Sequence, residues 1–93
     1  MIGAVTGCTH LDQVALELPT EADKRGAVCP ECVAMGALWV HLRMCCTCGH
    51  IGCCDSSPNR HARLHWEASG HAVITSFEPR ERWSWCFADN LLL

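Results

Sequence analysis

Nine cysteines and six histidines stand in a chain of 93 residues, and their spacing constrains the fold more than any apolar pattern does. Between Trp39 and His71 alone lie five of each. A chain this short buries only roughly 60–65% of the surface its unfolded form exposes. Four tryptophans, two phenylalanines and no tyrosine leave few large residues for a core, so cross-links, metal or a partner must help. Disulfides are the weaker reading. The cysteine count is odd, and MIGAVTGCTHLDQ has neither the basic segment nor the apolar run of a secretory leader. Histidine adds nothing to a disulfide framework but is a common zinc ligand. Metal in a reducing, cytoplasmic setting is the expectation.

The ligands fall into pieces with the spacing that metal sites need. Cys8-Thr-His10 is a C-x-H pair, and Cys29-Pro-Glu-Cys32 and Cys45-Cys-Thr-Cys48 are C-x-x-C pairs. Gly49 directly after Cys48 relieves the backbone of a tight turn that aims two sulfurs at one ion. His61 and His65, four apart, leave one face of a helix, and His71 follows just beyond its end. With Cys53 and Cys86 these make eleven candidate ligands. Asp89, three residues after Cys86, is the natural twelfth and would complete three tetrahedral zinc sites. Cys46, Cys54, His41 and His50 are left over.

The elements come in the order strands, helix, strands, which predicts an α+β domain with an antiparallel or mixed sheet of about four to five short strands. Val14–Leu18 and Leu38–Met44 alternate as strands do, and Ala72–Phe77 and Trp83–Phe87 are short apolar segments of strand type. The polar run PTEADKRG reads as a loop. Ser57 suits an N-cap, Pro58 the first helical position and Gly70 the end, so the one main helix is expected over 58–69. On it Leu64 and Ala68 flank the histidine face, while Arg60, Arg63 and Glu67 form a solvated stripe with an Arg63–Glu67 pair. No repeat divides the chain, which reads as a single domain over 1–93 with its core in 8–89. Leu91–Leu93 reads as packing rather than an anchor.

These pieces resemble the UBP-type zinc finger of ubiquitin-specific proteases. The matching features are C-x-H near the start, C-x-x-C, a Trp-led strand, C-x-x-C-G-x-x-x-C, H-x-x-x-H-x-x-x-x-x-H and a closing Trp-Cys. The chain is most similar to small stand-alone bacterial members carrying WVHLR, CCDSSP, SFEP and WCF. The resemblance implies interleaved zinc sites: Cys8, His10 and Cys86 with Asp89; Cys29 and Cys32 with Cys53 and His61; Cys45 and Cys48 with His65 and His71. Ions that join distant segments close long loops and so constrain the chain most. The resemblance also implies a protein or peptide partner held in an aromatic pocket, here Trp39, Trp85 and Phe87. Relatives that capture the Gly-Gly tail of ubiquitin use an arginine two residues after the lone cysteine. Asp55 stands there instead, and a carboxylate repels a carboxylate unless Arg43 or Arg60 substitutes from nearby. Asp89 likewise replaces an expected cysteine.

Other functions fit less well. A net charge of −3 gives no electrostatic basis for nucleic-acid binding, and no apolar run reaches the ~20 residues of a membrane span. Catalysis would need zinc with an open position, which only the Cys8/His10/Cys86 set could offer if Asp89 did not ligate, so a non-enzyme is expected. The alternative is a thiol or zinc sensor that uses the extra cysteines Cys46 and Cys54, each beside a candidate ligand.

Overall fold

The computed structural model describes residues 7–93. The expectation that the chain opens without a leader rests largely on residues outside them. A 3-10 turn at Leu11–Gln13 leads through an extended segment to α1 (Glu21–Lys24) and α2 (Pro30–Met35). The first β-hairpin, β1 (Leu42–Cys45) and β2 (Ile51–Cys53), is followed by the main helix α3 (His61–Ser69), then β3 (Val73–Ser76), β4 (Ser84–Cys86) and β5 (Leu91–Leu92). The five strands form one antiparallel sheet in the order β2-β1-β3-β4-β5. This is the expected α+β class. Among the described residues no helix is long and apolar enough to cross a membrane.

Half of the buried residues in the principal core are cysteines. Cys29, Cys32 and Cys53 pack with Leu42, Met44 and Phe77, and Trp39 and Ile51 close over them. A smaller cluster of Ala62, Ile74 and Phe87, with Trp66 and Trp85 against it, lies between the sheet and α3. The two clusters contain only two buried phenylalanines and three larger aliphatic side chains, far too little to hold a domain of this size by apolar burial alone.

Several local expectations are corrected. Val14–Leu18 is not a strand. Ala15 and Leu16 both donate backbone N–H groups to the Cys46 carbonyl, and Leu18 is 59% exposed, so its alternation does not mark a buried face. The strand read over Leu38–Met44 starts only at Leu42. Leu38 is 82% exposed, and the Val40 N–H donates to the Ser57 hydroxyl instead of to a neighbouring strand. The run PTEADKRG contains α1, closed by a capping box in which Thr20 and Asp23 satisfy each other's backbone N–H groups. Its Lys24 is buried and donates to the Glu81 carbonyl at 2.5 Å, which ties α1 to the β3–β4 connection.

The main helix begins at His61, not at Pro58. Ser57 therefore does not cap it. The His61 N–H donates to the Cys53 sulfur at 3.2 Å, so a cysteine thiol takes the role expected of the serine. Arg60 turns the chain into α3 through a left-handed conformation, φ 48°. Gly70 ends the helix with φ 79°, as expected. Leu64 and Ala68 lie on the exposed side of α3, and the buried pair is His61 and Ala62. The close seat of α3 on β2 depends on Gly52. A Cβ there would lie 2.6 Å from the Ala62 backbone nitrogen, a contact real side chains do not make.

Candidate metal centres and an aromatic cavity

The structure brings the twelve candidate ligands together in three quartets: Cys29/Cys32/Cys53/His61, Cys45/Cys48/His65/His71 and Cys8/His10/Cys86/Asp89. Within each, the ligand atoms all lie within 4.8 Å of one another. Among the described residues no disulfide forms.

The first quartet is wholly buried. Cys29 stands at the N-terminal end of α2 and Cys32 in its first turn, while Cys53 ends β2 and His61 opens α3. The Cys32 and Cys53 sulfurs are 3.8 Å apart, and His61 Nδ1 lies 3.3, 3.4 and 3.5 Å from the sulfurs of Cys29, Cys32 and Cys53. Tetrahedral zinc with Zn–S of about 2.3 Å and Zn–N of about 2.0 Å requires edges of about 3.8 Å between sulfurs and about 3.5 Å from sulfur to nitrogen. A disulfide would need about 2.05 Å. The donor set and its edges fit zinc. Burial first, and then the neighbouring Cys29 and Cys53, push the Cys32 thiol up to about 12. Three sulfurs can share this pocket as thiolates only when a cation joins them.

The second quartet hangs on the β1–β2 hairpin and the far end of α3. Gly49, at φ 82°, closes the knuckle by donating its N–H to the Cys45 carbonyl at 2.9 Å. Cys45 Sγ is 3.7 Å from His71 Nδ1, and Cys48 Sγ is 3.3 Å from His65 Nε2. Cys45 is buried and Cys48 exposed. His50, outside the quartet, stacks on His65 with ring centres 4.2 Å apart, and its Nε2 is 2.7 Å from a Glu31 oxygen. Burial, then the His50 and His71 rings, holds His65 below its ordinary value.

The third quartet joins the start of the described chain to its end. His10 Nδ1 lies 2.8 Å from Asp89 Oδ2, and Cys86 Sγ is 3.7 Å from each of those atoms. Asp89 also accepts the Thr9 backbone N–H at 2.8 Å. That bond, and next His10, draws its carboxyl down to about 2. Asp89 is therefore a carboxylate at any ordinary pH and donates oxygen where the other quartets have sulfur or nitrogen.

A cavity of about 600 Å³ opens between the sheet and α3. Trp83, Trp85 and Phe87 alternate along β4 and its flanks, share one face and line it together. Asp55 also lines it, as does Arg63 from α3. Trp39, read from sequence as part of this pocket, packs instead against the sulfur-rich core. The expected Arg63–Glu67 pair is replaced by a forked contact in which Arg63 donates to both Asp55 oxygens at 2.6 to 3.1 Å. Arg63 also lies over Phe87, 4.9 Å from the ring centre. Arg43 lines the cavity 4.4 Å above the Trp83 ring and donates to the Leu42 carbonyl. Arg43, one of two arginines expected from sequence to stand in for the missing one, does line the cavity, whereas Arg60 does not; the roles of Trp83 and Arg63 were missed in the sequence. The i, i+2, i+4 spacing of Trp83, Trp85 and Phe87 was the available signal for the first.

The two extra cysteines differ. Burial, then the neighbouring Cys45, pushes Cys46 up to about 11. Cys54 lines the cavity. Burial raises its thiol, but the Ser57 hydroxyl, backbone N–H groups and the Arg43 charge outweigh that and hold it below its ordinary value.

A family model described as the zinc finger in ubiquitin-hydrolases and other proteins matches residues 29–92, well over half of the chain. The chain belongs to the UBP-type zinc-finger family. Its three quartets make it a zinc-binding module of that type. A protein from Rhodopseudomonas palustris, solved by solution NMR, has the same fold as this UBP-type domain with a TM-score of 0.76 and 42% identity. The match covers 96% of this chain and 82% of that one. No curated protein matches the chain at a significant level. Three ions placed as these quartets are would act structurally. Each would cross-link segments far apart in sequence, and bound zinc would hold the thiols as thiolates.

Proposed function

We propose that this UBP-type domain is a non-catalytic interaction module of the reducing cytoplasm that receives a peptide or protein terminus in its aromatic cavity. The observation that carries this reading is the cavity of about 600 Å³ lined by Trp83, Trp85 and Phe87. Aromatic side chains gathered on one wall are the usual anchors of a recognition surface. Among the described residues that line the cavity, no base is hydrogen-bonded to the Cys54 thiol, whose side-chain partner is the Ser57 hydroxyl, which favours binding over catalysis. Asp55 weighs against the Gly-Gly tail of ubiquitin as the ligand. It contributes a carboxylate at the wall and holds Arg63 in a fork, so that guanidinium is already occupied. Arg43 makes no direct ion pair among the described residues, although its charge reaches the Glu81 carboxylate, and it is the cation left to face an anionic ligand group.

Tryptophan fluorescence titrated with peptides ending in a free or an amidated C-terminus tests this. Trp85→Ala is expected to abolish a response that wild type gives. A response indistinguishable between the two would contradict the reading. Asp55→Arg is expected to raise affinity for a Gly-Gly terminus by about tenfold, the effect of one charge-assisted hydrogen bond.

A second reading, thiol-based zinc sensing, draws on Cys54. This thiol faces the cavity and neighbours the ligand Cys53. Peroxide would then release zinc faster from wild type than from a Cys46→Ala/Cys54→Ala double variant. Equal release discards the sensing role.

A further inference from the structure

The cavity is slung between two of the three quartets. Its first wall is the turn Cys54-Asp55-Ser56 with Ala62 and Arg63 of α3. Cys53 directly precedes that turn and His61 directly precedes those helical residues, and both belong to the buried quartet. The opposite wall is Trp85, Phe87, Asn90 and Leu92. Cys86 and Asp89, members of the half-exposed quartet, are interleaved with them.

The two walls are anchored unequally. The buried quartet has three sulfurs and one nitrogen, and its elements also pack through the sulfur-rich core. On the opposite wall, Trp85 is paired to Ile74 and Leu92 across the sheet, and the Phe87 N–H donates to the Ala72 carbonyl. The turn that follows rests on less. Asn90 holds a left-handed conformation, φ 56°, and the two-residue β5, though tied to β4 through Leu91, Leu92 and the Leu93 N–H to the Ser84 carbonyl, has a partner on one side only. The side chain that secures this turn from outside the sheet is Asp89, through Thr9, His10 and the quartet.

We propose that zinc at the Cys8/His10/Cys86/Asp89 quartet gates the aromatic cavity. With the ion bound, the β4–β5 turn is fixed as a wall. On its release Asn90 and Leu92 move away, while the buried quartet keeps the rest of the domain folded. The Cys45/Cys48/His65/His71 quartet is as open to chelators as this one, so the distinction lies in the donor: a carboxylate oxygen in place of a thiolate makes this site harder, and this ion leaves first. Ligand capture then follows the available zinc. The consequence for binding rests on the proposed reading of the cavity, but the gating itself is a property of the fold.

The test therefore uses no peptide. The zinc-loaded, ¹⁵N-labelled protein is titrated with EDTA, with zinc per chain measured at each step and the indole and amide resonances followed. Loss of the first equivalent is expected to shift Trp85, Asn90 and Leu92 and to leave Trp39 unchanged. Asp89→Cys is expected to raise the chelator concentration for that step at least tenfold. Asp89→Ala is expected to show the shifted spectrum with two ions from the outset. The proposal is overturned if the first ion leaves with Trp85 and Leu92 unmoved, or if all three leave together as dispersion collapses. It is also overturned if Asp89→Cys folds and releases zinc as wild type does. Failure here leaves peptide binding standing, and a cavity that binds no peptide leaves the coupling standing.

Discussion

The buried quartet and the half-exposed quartet do the same work with different chemistry. Cys29, Cys32, Cys53 and His61 are all inside and form part of the core as well as a ligand set. Cys8, His10 and Asp89 are partly exposed, and only Cys86 is buried. In the first, metal binding and hydrophobic packing cannot be separated, because the same sulfurs serve both. In the second, the ion fastens a turn and an N-terminal segment onto a sheet that is already formed. Within one small domain, then, metal serves once as a core and once as a clasp.

The largest difference is expected on removing one ligand from each. Cys53→Ala should abolish folding, since a structural zinc site contributes on the order of 10 kcal/mol and this one also leaves a hole at the centre of the core. Asp89→Ala should keep a folded chain with two ions. Zinc content and amide dispersion of the two variants check both outcomes, and similar behaviour would erase the distinction. Next in size is Gly52→Ala. Its Cβ would collide with the α3 backbone beside His61, which should cost about 3 kcal/mol. Denaturant unfolding of the zinc-loaded variant measures it. A stability equal to wild type would show that the helix is free to shift away from β2.

The smallest expected effect concerns the thiols outside the quartets. Both are buried, but Cys54 lines the cavity and is held below the ordinary thiol value, whereas Cys46 is pushed up to about 11. A lowered value means more thiolate near neutral pH, and a raised one means almost none until strongly alkaline pH. Iodoacetamide at pH 7.5 should therefore label Cys54 well before Cys46, and the rate at Cys46 should keep rising up to about pH 11. Mass spectrometry of the labelled peptides reads both. Labelling of Cys46 first would mean that the cavity does not reach Cys54.

The ligand set was legible because metal sites demand particular side chains at particular separations. Cys29-x-x-Cys32, Cys45-x-x-Cys48-Gly49 and the His61/His65 repeat carry that demand in the chain itself. The strands Val73–Ser76 and Ser84–Cys86 were legible too, since they fill the middle of the sheet with short apolar runs. What escaped is what the staples override. Val14, Leu16 and Leu18 alternate as a strand would, yet in a chain with so little core they stay exposed. The start of α3 moved from Pro58 to His61 because the helix must deliver His61 beside Cys53, and the Cys53 sulfur then serves as its cap. Trp39 lies against the sulfur core because the Cys29–Cys32 knuckle draws α2 over it. The Asp55–Arg63 fork could not be read from spacing, since its partners sit on a turn and a helix whose approach the buried quartet sets.

Elemental analysis paired with an amide NMR spectrum, before and after exhaustive chelation, bears on all of this at once. The purified chain should carry three zinc ions and lose its dispersed spectrum when the last of them is removed. A chain that keeps sharp, dispersed resonances with no metal bound would show that its fold is held by something other than these three quartets.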